Sequence, residues 1–246
     1  MSPVRSGIAD DVISMSRSLC RDMQPLTFSD PVHVVYNPLQ YARRSHERYL
    51  ERYARPGTEA ILLGMNPGPW GMAQTGVPFG EVELTRTFLG IDEPVDSPEV
   101  EHPKRPIQGF KCTRREVSGR RLWGWAEERF ETSETFFDRF FVWNHCPLAF
   151  LEQEGRNRTP DKLPISERTP LLERCDQALR EIVEIMQPRM LIGVGGFAFK
   201  RAKQVFGDDG PTLGTILHPS PASPAANRGW APQVEQQLAA MGISLP

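Results

Sequence analysis

Short apolar runs, rich in β-branched and aromatic side chains, recur along this sequence between segments of helical periodicity. They are Val32–Tyr36, Ala60–Met65, Phe140–Asn144, Met190–Val194 and Thr215–Leu217. Brief runs that are apolar throughout are typical of strands buried on both faces. Their alternation with helices predicts an α/β fold, a three-layer sandwich with a mainly parallel central sheet.

The intervening segments repeat their apolar residues with the period of an α-helix. They are Leu39–Ala54, Glu81–Leu89, Ser118–Phe130, Pro170–Met186, Phe197–Phe206 and Pro232–Met241. No internal repeat or break in composition divides the 246 residues. We therefore expect one domain over residues 1–246, with an N-terminal helix at about residues 8–24 packed on it.

The N-terminal stretch MSPVRSGIADDVISMSRSL carries acids where a secretory signal needs a continuous apolar run. No window of the chain has the apolar length of a membrane span. These features predict an intracellular protein with no membrane partner. Arginine exceeds lysine, 24 to 5, which favours a bacterial source and hence a cytoplasmic location, on the nucleoid if DNA is the substrate.

The four cysteines, Cys20, Cys112, Cys146 and Cys175, are scattered and form no CxxC motif. Neither a zinc ribbon nor a disulfide framework is indicated, so we expect no metal and no cofactor. The net charge of −2 excludes a general polycation. A nucleic-acid partner would need a local patch, and Lys104–Arg121 offers one, with seven basic residues against the single acid Glu116.

The stretch GVGGFA, Gly193–Ala198, matches the G-x-G-x-x-G/A pattern of dinucleotide-binding proteins. Such a site also needs an acidic residue about twenty positions later, at the end of the next strand. His218 stands there instead. The glycines therefore favour a tight turn and close packing of a helix on the sheet.

Polar residues end three of the predicted strands. Asn66 and His218 directly follow the second and fifth apolar runs, and Asn144 is the last residue of the third. In open parallel sheets, ligands bind in the crevice outside the carboxyl ends of the strands. The sequence therefore predicts that these three side chains converge on one ligand.

Asn66 and His218 each lie in a segment rich in glycine and proline. LLGMNPGPWGMAQTGVPFGE, Leu62–Glu81, contains bare backbone that can approach a flat polar ring, and Phe79 could stack on that ring. HPSPASPAANRGW, His218–Trp230, is a proline-stiffened loop suited to pressing against a duplex.

Together with VWNHCPLAF, Val142–Phe150, these two segments resemble the single-strand-selective monofunctional uracil-DNA glycosylase family of the uracil-DNA glycosylase superfamily. The similarity extends from about Tyr36 to the C-terminus. It implies hydrolysis of the N-glycosidic bond of uracil in single- or double-stranded DNA after base flipping, without strand cleavage. It further implies activity on 5-hydroxymethyluracil. We expect a monomer.

The resemblance also implies roles for individual residues. Asn66 positions the hydrolytic water, and His218 stabilises negative charge on the departing base. Asn144 pairs with the Watson–Crick edge, Phe79 stacks beneath the ring, and the pocket wall comes from the backbone of Met65 and from the segment Gly68 to Met72. The DNA-binding residues implied are Pro219, Ser220, Pro221, Ala222 and Arg228.

This chain departs from the family at two positions. Ala222 stands where vertebrate members carry a bulky basic residue, and Trp70 stands where phenylalanine is common. The first change leaves duplex activity open. Two alternatives stay open as well: a superfamily member that prefers hypoxanthine, xanthine or mismatched uracil, and a catalytically silent binder of single-stranded DNA or of a free nucleobase.

Overall fold

The computed structural model describes residues 4–246, with side chains from residue 7 onward. In chain order the elements are α1 (Val4–Met23), β1 (Val32–Tyr36), α2 (Pro38–Tyr41), α3 (Arg43–Tyr53), β2 (Ala60–Gly64), α4 (Met72–Thr75), α5 (Val82–Thr87), α6 (Val117–Phe130), α7 (Ser133–Phe137), β3 (Phe140–Asn144), β4 (Ala149–Glu152), β5 (Asn157–Arg158), α8 (Ile165–Met186), β6 (Met190–Val194), α9 (Gly196–Phe206), β7 (Thr212–Ile216), α10 (Pro224–Asn227) and α11 (Trp230–Ala240). Single 3₁₀ turns lie at Gly109–Lys111 and Pro160–Lys162.

The central sheet is parallel, with strand order β3-β2-β6-β7 and helices around it. This confirms the predicted α/β fold. Every residue of β2, β3 and β6 is buried, as expected for strands covered on both faces. β7, at the opposite edge of the sheet from β3, differs because it exposes Thr212 and Thr215. It begins three residues earlier than predicted, since those polar positions hide the strand from a search for apolar runs.

The prediction that Val32–Tyr36 belongs to the parallel sheet, buried on both faces, is wrong. β1 pairs antiparallel with β4 in a second sheet of order β1-β4-β5. Its residues alternate, with Val32, Val34 and Tyr36 buried and His33 exposed. One-sided burial is usual for antiparallel strands.

Two helix predictions need correction. Leu39–Ala54 is interrupted at Ala42, whose backbone (φ −101°, ψ 24°) leaves the helical region between α2 and α3. Helix α8 begins at Ile165, so Pro170 lies inside it. Proline removes one backbone hydrogen bond to the residue four positions earlier. Here that residue, Ser166, is exposed, so water can replace the lost donor.

Helix α1 begins four residues before the predicted helix at about 8–24 and packs on α8 and α3 through Val12, Met15 and Leu19. One apolar cluster extends from Val12 to Ile243, and a smaller one lies beneath β1. The single domain over residues 1–246 stays a prediction, and residues 1–3 lie outside those described. No helix of residues 4–246 has the length and apolar character to cross a bilayer.

The Gly193–Ala198 stretch forms the predicted turn and helix–sheet contact. Gly195 has φ 90° and precedes α9. A Cβ on Gly193 would overlap the backbone nitrogen of Phe199, so only glycine lets α9 lie this close to β6. The glycines are explained by packing, as the missing acidic partner indicated.

We expect Gly193→Ala to lower the free energy of unfolding by about 1–3 kcal/mol, because the added methyl group overpacks against the α9 backbone. Gly196→Ala is the matched control. A Cβ there meets no atom within 4 Å, and alanine is favoured over glycine in a helix by up to about 1 kcal/mol. Urea unfolding followed by circular dichroism measures both, and equal stability of the two variants would contradict this packing.

Candidate active site

A cavity of about 300 Å³ opens beside the carboxyl ends of β2, β3 and β7. It brings together Asn66, Asn144 and His218, which are far apart in the chain. The other walls come from Met65, Gly68, Pro69, Gly71, Met72, Phe79, Glu116, Ser118, Asn157, Thr159, Ser220 and Pro221. The residues expected to bind the substrate, namely Met65, Gly68, Met72, Phe79 and Asn144, therefore all lie on this cavity.

The pairing of β2 with β3 places the first two of these side chains together. Gly64 is opposite Asn144 in the parallel ladder, and Asn66 follows two residues later. A Cβ on Gly64 would overlap Asn144 Oδ1 and lie 2.7 Å from the Phe79 ring. The bare backbone at Gly64 thus admits two of the protein's own side chains. The interpretation that a ligand requires this glycine is wrong at this position.

Phe79 has a backbone conformation that is rare for a residue with a side chain. Its φ is 54°, in the left-handed region, which costs about 1–3 kcal/mol. The Phe79 carbonyl accepts from the Glu81 amide at 2.7 Å and packs against Gly119 of α6. These contacts hold the strained backbone, and they direct the aromatic ring into the wall, with its centroid 6.1 Å from that of His218.

The Asn66 amide has its nitrogen anchored. Nδ2 donates to the Leu148 carbonyl at 3.2 Å and lies 3.4 Å from the Pro67 carbonyl. Carbonyl oxygens only accept, so this end of the amide must be the nitrogen. Asn66 lines the cavity, and its Oδ1 is the atom of the amide that can accept a hydrogen bond there. This suits Oδ1 to orienting a water molecule.

Asn144 is 5% exposed, and Nδ2 contacts the Met72 sulfur at 3.2 Å. A thioether is a weak acceptor, so the donor capacity of this amide is largely unspent. A buried amide with one free donor and one free acceptor can read the edge of a ring that offers the complementary pair.

His218 is held as a neutral donor. Nδ1 accepts from the Ser220 amide at 3.0 Å, so the proton of the neutral ring lies on Nε2. Burial lowers the pKa of His218 from 6.5 to about 4. At neutral pH the imidazole therefore presents an Nε2–H donor without a positive charge.

The loop after His218 is fastened by Arg121, which the sequence places only in a basic patch. Nη1 donates to the carbonyls of Pro219 and Ser220 at 3.0 and 3.3 Å, and Nη2 donates to Asn227 Oδ1 at 2.8 Å. Asn227 Nδ2 in turn donates to Pro221 at 2.9 Å. Four separate contacts thus fix the backbone next to the cavity.

The predicted DNA-binding residues lie at different places on this loop. Ser220 and Pro221 line the cavity, whereas the Pro219 side chain is buried. Ala222 is exposed at the turn that precedes α10, and Arg228 is exposed just after that helix. The exposed tip therefore carries only a methyl group at position 222.

Glu116 is a cavity residue that sequence reasoning did not identify. Its carboxylate caps α6, accepting from the Ser118 amide at 3.1 Å and from the Gly119 amide, and its side chain packs on Gly71. Burial raises the pKa of this carboxyl group. The available signal was its position, since Glu116 is the single acid of the basic stretch and lies two residues before a predicted helix.

The β5 segment supplies two further wall residues, Asn157 and Thr159, that were also missed. Asn157 Nδ2 lies 3.5 Å from the Pro67 carbonyl, and its Oδ1 is buried without a partner. No strand was predicted here, because β5 is two residues long and polar. Local sequence carried no signal for these residues.

The basic stretch Lys104–Arg121 does not form one uniform surface. Lys104 pairs with Glu154, Arg120 lies 3.3 Å from Glu83, and Arg121 fastens the loop.

Within residues 4–246, no group of three or more His, Cys, Asp or Glu side chains is arranged to hold a metal ion.

Comparison with known proteins agrees with this fold. The family model of the uracil DNA glycosylase superfamily matches residues 51–238. The crystal structure of wild-type Pedobacter heparinus SMUG2 has a TM-score of 0.68 to this chain at 17% identity, covering 96% of this chain and 97% of that one. At this identity the structural match establishes the fold.

Sequence relatives identify the family within this superfamily. The single-strand selective monofunctional uracil-DNA glycosylase of Rattus norvegicus is 43% identical over 99% of this chain and 88% of its own length. The proteins of the same name from Mus musculus and Bos taurus are each 42% identical over 98% of this chain, and over 87% and 89% of their own lengths. This chain belongs to the single-strand selective monofunctional uracil-DNA glycosylase family, within the uracil DNA glycosylase superfamily.

The assigned state of His218 predicts a specific spectrum. Nitrogen-15 NMR of the ring should show the neutral Nε2–H tautomer at pH 7 and a titration midpoint near 4, because burial opposes protonation. His218→Gln identifies its signals, which matters because burial also lowers the pKa of His46 to about 4. A midpoint near 6.5, or a proton on Nδ1, would contradict the assignment.

Proposed function

We propose that this protein hydrolyses the N-glycosidic bond between uracil and deoxyribose in DNA, without metal and without cutting the strand. The observation that carries the proposal is the meeting of Asn66, Asn144, Phe79 and His218 around one cavity. About 300 Å³ is at the small end of ligand pockets, which suits a single ring. The base must leave the stack to enter it, as in other enzymes that act on a base.

Base recognition falls to Asn144 and Phe79. The Asn144 amide supplies a donor for a ring carbonyl of uracil and an acceptor for the neighbouring ring N–H. Cytosine offers the opposite pattern at the same edge, so the amide donor would face a donor and the amide acceptor would face an acceptor, and both would stay unpaired. Phe79 provides the face on which the ring rests, and its position depends on the bare backbone at Gly64.

Bond breaking depends on stabilising the leaving group. The bond between C1′ and the ring nitrogen N1 breaks with both electrons passing to the base, which leaves as an anion while the sugar gains oxocarbenium character. The neutral His218 donates its Nε2–H to the developing charge. One such preorganised donor is worth about 3–4 kcal/mol of barrier.

Water then completes the reaction. Asn66 Oδ1 accepts from the water and directs its oxygen to C1′, since an amide orients but does not remove a proton. The surplus proton passes to solvent, and the base is protonated from solvent after release. With no strong base in place, departure of uracil precedes attack by water.

Release without strand cleavage agrees with the wall composition. The five lysines of the chain are Lys104, Lys111, Lys162, Lys200 and Lys203, and none is a described wall residue. A cleaving enzyme of this class needs an amine nucleophile to form a Schiff base.

We also propose that the protein acts as a monomer on the DNA of a bacterial cytoplasm. 5-Hydroxymethyluracil stays a second predicted substrate, from the resemblance.

Purified protein in excess EDTA should release uracil from a uracil-containing oligonucleotide, and alkali should then break the strand at the abasic site. We expect Asn66→Ala and His218→Ala each to lower the single-turnover rate by about 10²–10³-fold, the cost of one preorganised group. His33→Ala, at an exposed position, is the control. Intact strands after alkali would refute the activity, and wild-type rates in either variant would refute its role.

Parallel oligonucleotides carrying 5-hydroxymethyluracil, hypoxanthine or xanthine, in single and double strands, separate the alternatives. If hypoxanthine or xanthine is released faster than uracil, the protein is a superfamily member that prefers another damaged base. Tight binding of uracil DNA with no release of base would favour the silent binder.

The single-turnover rate should be flat between about pH 5.5 and 8. His218 acts as a neutral donor with a pKa of about 4, so it stays in the active form throughout this interval. A histidine that acted as a cation with an ordinary pKa would lose about tenfold in rate per pH unit above 6.5. Rates measured at constant ionic strength distinguish the two, and a falling limb above pH 6.5 would contradict the neutral donor.

A further inference from the structure

The indole of Trp70 holds two guanidinium groups. Cζ of Arg105 lies 5.1 Å from the ring centroid, and Cζ of Arg114 lies 5.0 Å from it. These distances are typical of cation–π contacts, in which the aromatic face fixes a planar cation. We call these three residues the Arg–Trp–Arg cluster.

Neither arginine of the cluster forms an ion pair with any described residue. Thirteen other arginines do: Arg17, Arg43, Arg44, Arg48, Arg52, Arg55, Arg86, Arg120, Arg129, Arg139, Arg158, Arg189 and Arg201. Arg105 Nη1 donates to the Lys104 carbonyl at 2.8 Å, and its buried Nε has no partner. Two cations within about 10 Å of each other therefore share one indole without a neutralising carboxylate.

The cluster adjoins the cavity through each of its members. Trp70 lies between the wall residues Pro69 and Gly71, and Arg114 is two residues before the wall residue Glu116. Arg105 packs on the turn that leads into β5, since a Cβ on Gly155 would lie 3.2 Å from its Cζ. The cluster is also distinct from the loop fastened by Arg121, because its arginines make no described hydrogen bond to that loop.

We propose that the Arg–Trp–Arg cluster binds the phosphodiester backbone of the uracil-bearing strand, next to the flipped nucleotide. The inference rests on the proposed function for the position of the base. A planar guanidinium with two parallel N–H donors matches phosphate oxygens, and an aromatic face that orients it reduces the entropy lost on binding. The contact is to the strand itself, so it serves a single strand as well as a duplex and does not need a bulky residue at position 222.

The test compares Arg105→Gln/Arg114→Gln with Arg21→Gln/Arg180→Gln, which removes the same charge from exposed sites on α1 and α8. The probe is a single-stranded oligonucleotide with a stable abasic analogue, titrated at several salt concentrations. Loss of two phosphate contacts should lower the slope of log K against log salt by about 1.4 and weaken binding roughly tenfold or more. The control should keep the wild-type slope.

An unchanged slope in the cluster variant, or an equal loss in the control, would overturn the proposal. Circular dichroism checks folding. Because Arg105 is packed and Arg114 is exposed, Arg114→Gln alone, with an expected slope loss of about 0.7, keeps the test valid if the double variant unfolds.

Tryptophan emission gives an independent readout. Docking of phosphate on guanidiniums in contact with Trp70 should change the emission of the wild-type protein on addition of the abasic probe, and Trp70→Phe should remove that change. An identical change in both proteins would count against the cluster. Absence of uracil release by a wild-type protein that binds the probe would refute the proposed function, while the slope comparison would still decide the phosphate site.

Discussion

The site depends on the parallel pairing of β2 with β3, in which Gly64 lies opposite Asn144. Side chains alternate along a strand, so a shift of one residue would turn Asn144 away from the cavity. The next residue shows this directly, since His145 points to the other side and its Nε2 donates to Asp176 Oδ1, 2.8 Å away. The same register places Gly64 beside Phe79 and Asn144, where the side chain of any other residue would overlap both of them.

The electrostatics of the cavity suit a reaction that produces an anion. Asn66 and Asn144 are uncharged, and burial keeps His218 neutral. The one acidic wall residue among those described, Glu116, turns its carboxylate to the first N–H groups of α6. Those donors offset its charge, because backbone N–H groups at a helix start carry partial positive charge. The cavity thus combines a preorganised donor with little opposing negative charge.

The basic stretch shows how one sequence feature can serve several purposes. Arg120 forms a surface ion pair, Arg121 fixes the loop that follows His218, and Arg105 and Arg114 lie on Trp70. Composition alone assigns all of them to one charged face. The distinction requires the position of each guanidinium, because long flexible side chains reach partners that are distant in sequence: Arg121 and Asn227 are 106 residues apart.

The sequence alone determined the parallel core, since β2, β3 and β6 are apolar runs whose burial demands helices on both faces. Its motifs also indicated Asn66, Asn144 and His218, because strand ends meet at one edge of such a sheet, while their separate roles came from family resemblance. Only the tertiary structure decided the antiparallel pairing of β1, the tautomer of His218 and the places of Glu116, Asn157 and Arg121. These features depend on contacts between segments distant in the chain, and neither local periodicity nor residue type records which partner a backbone edge or a polar side chain will meet.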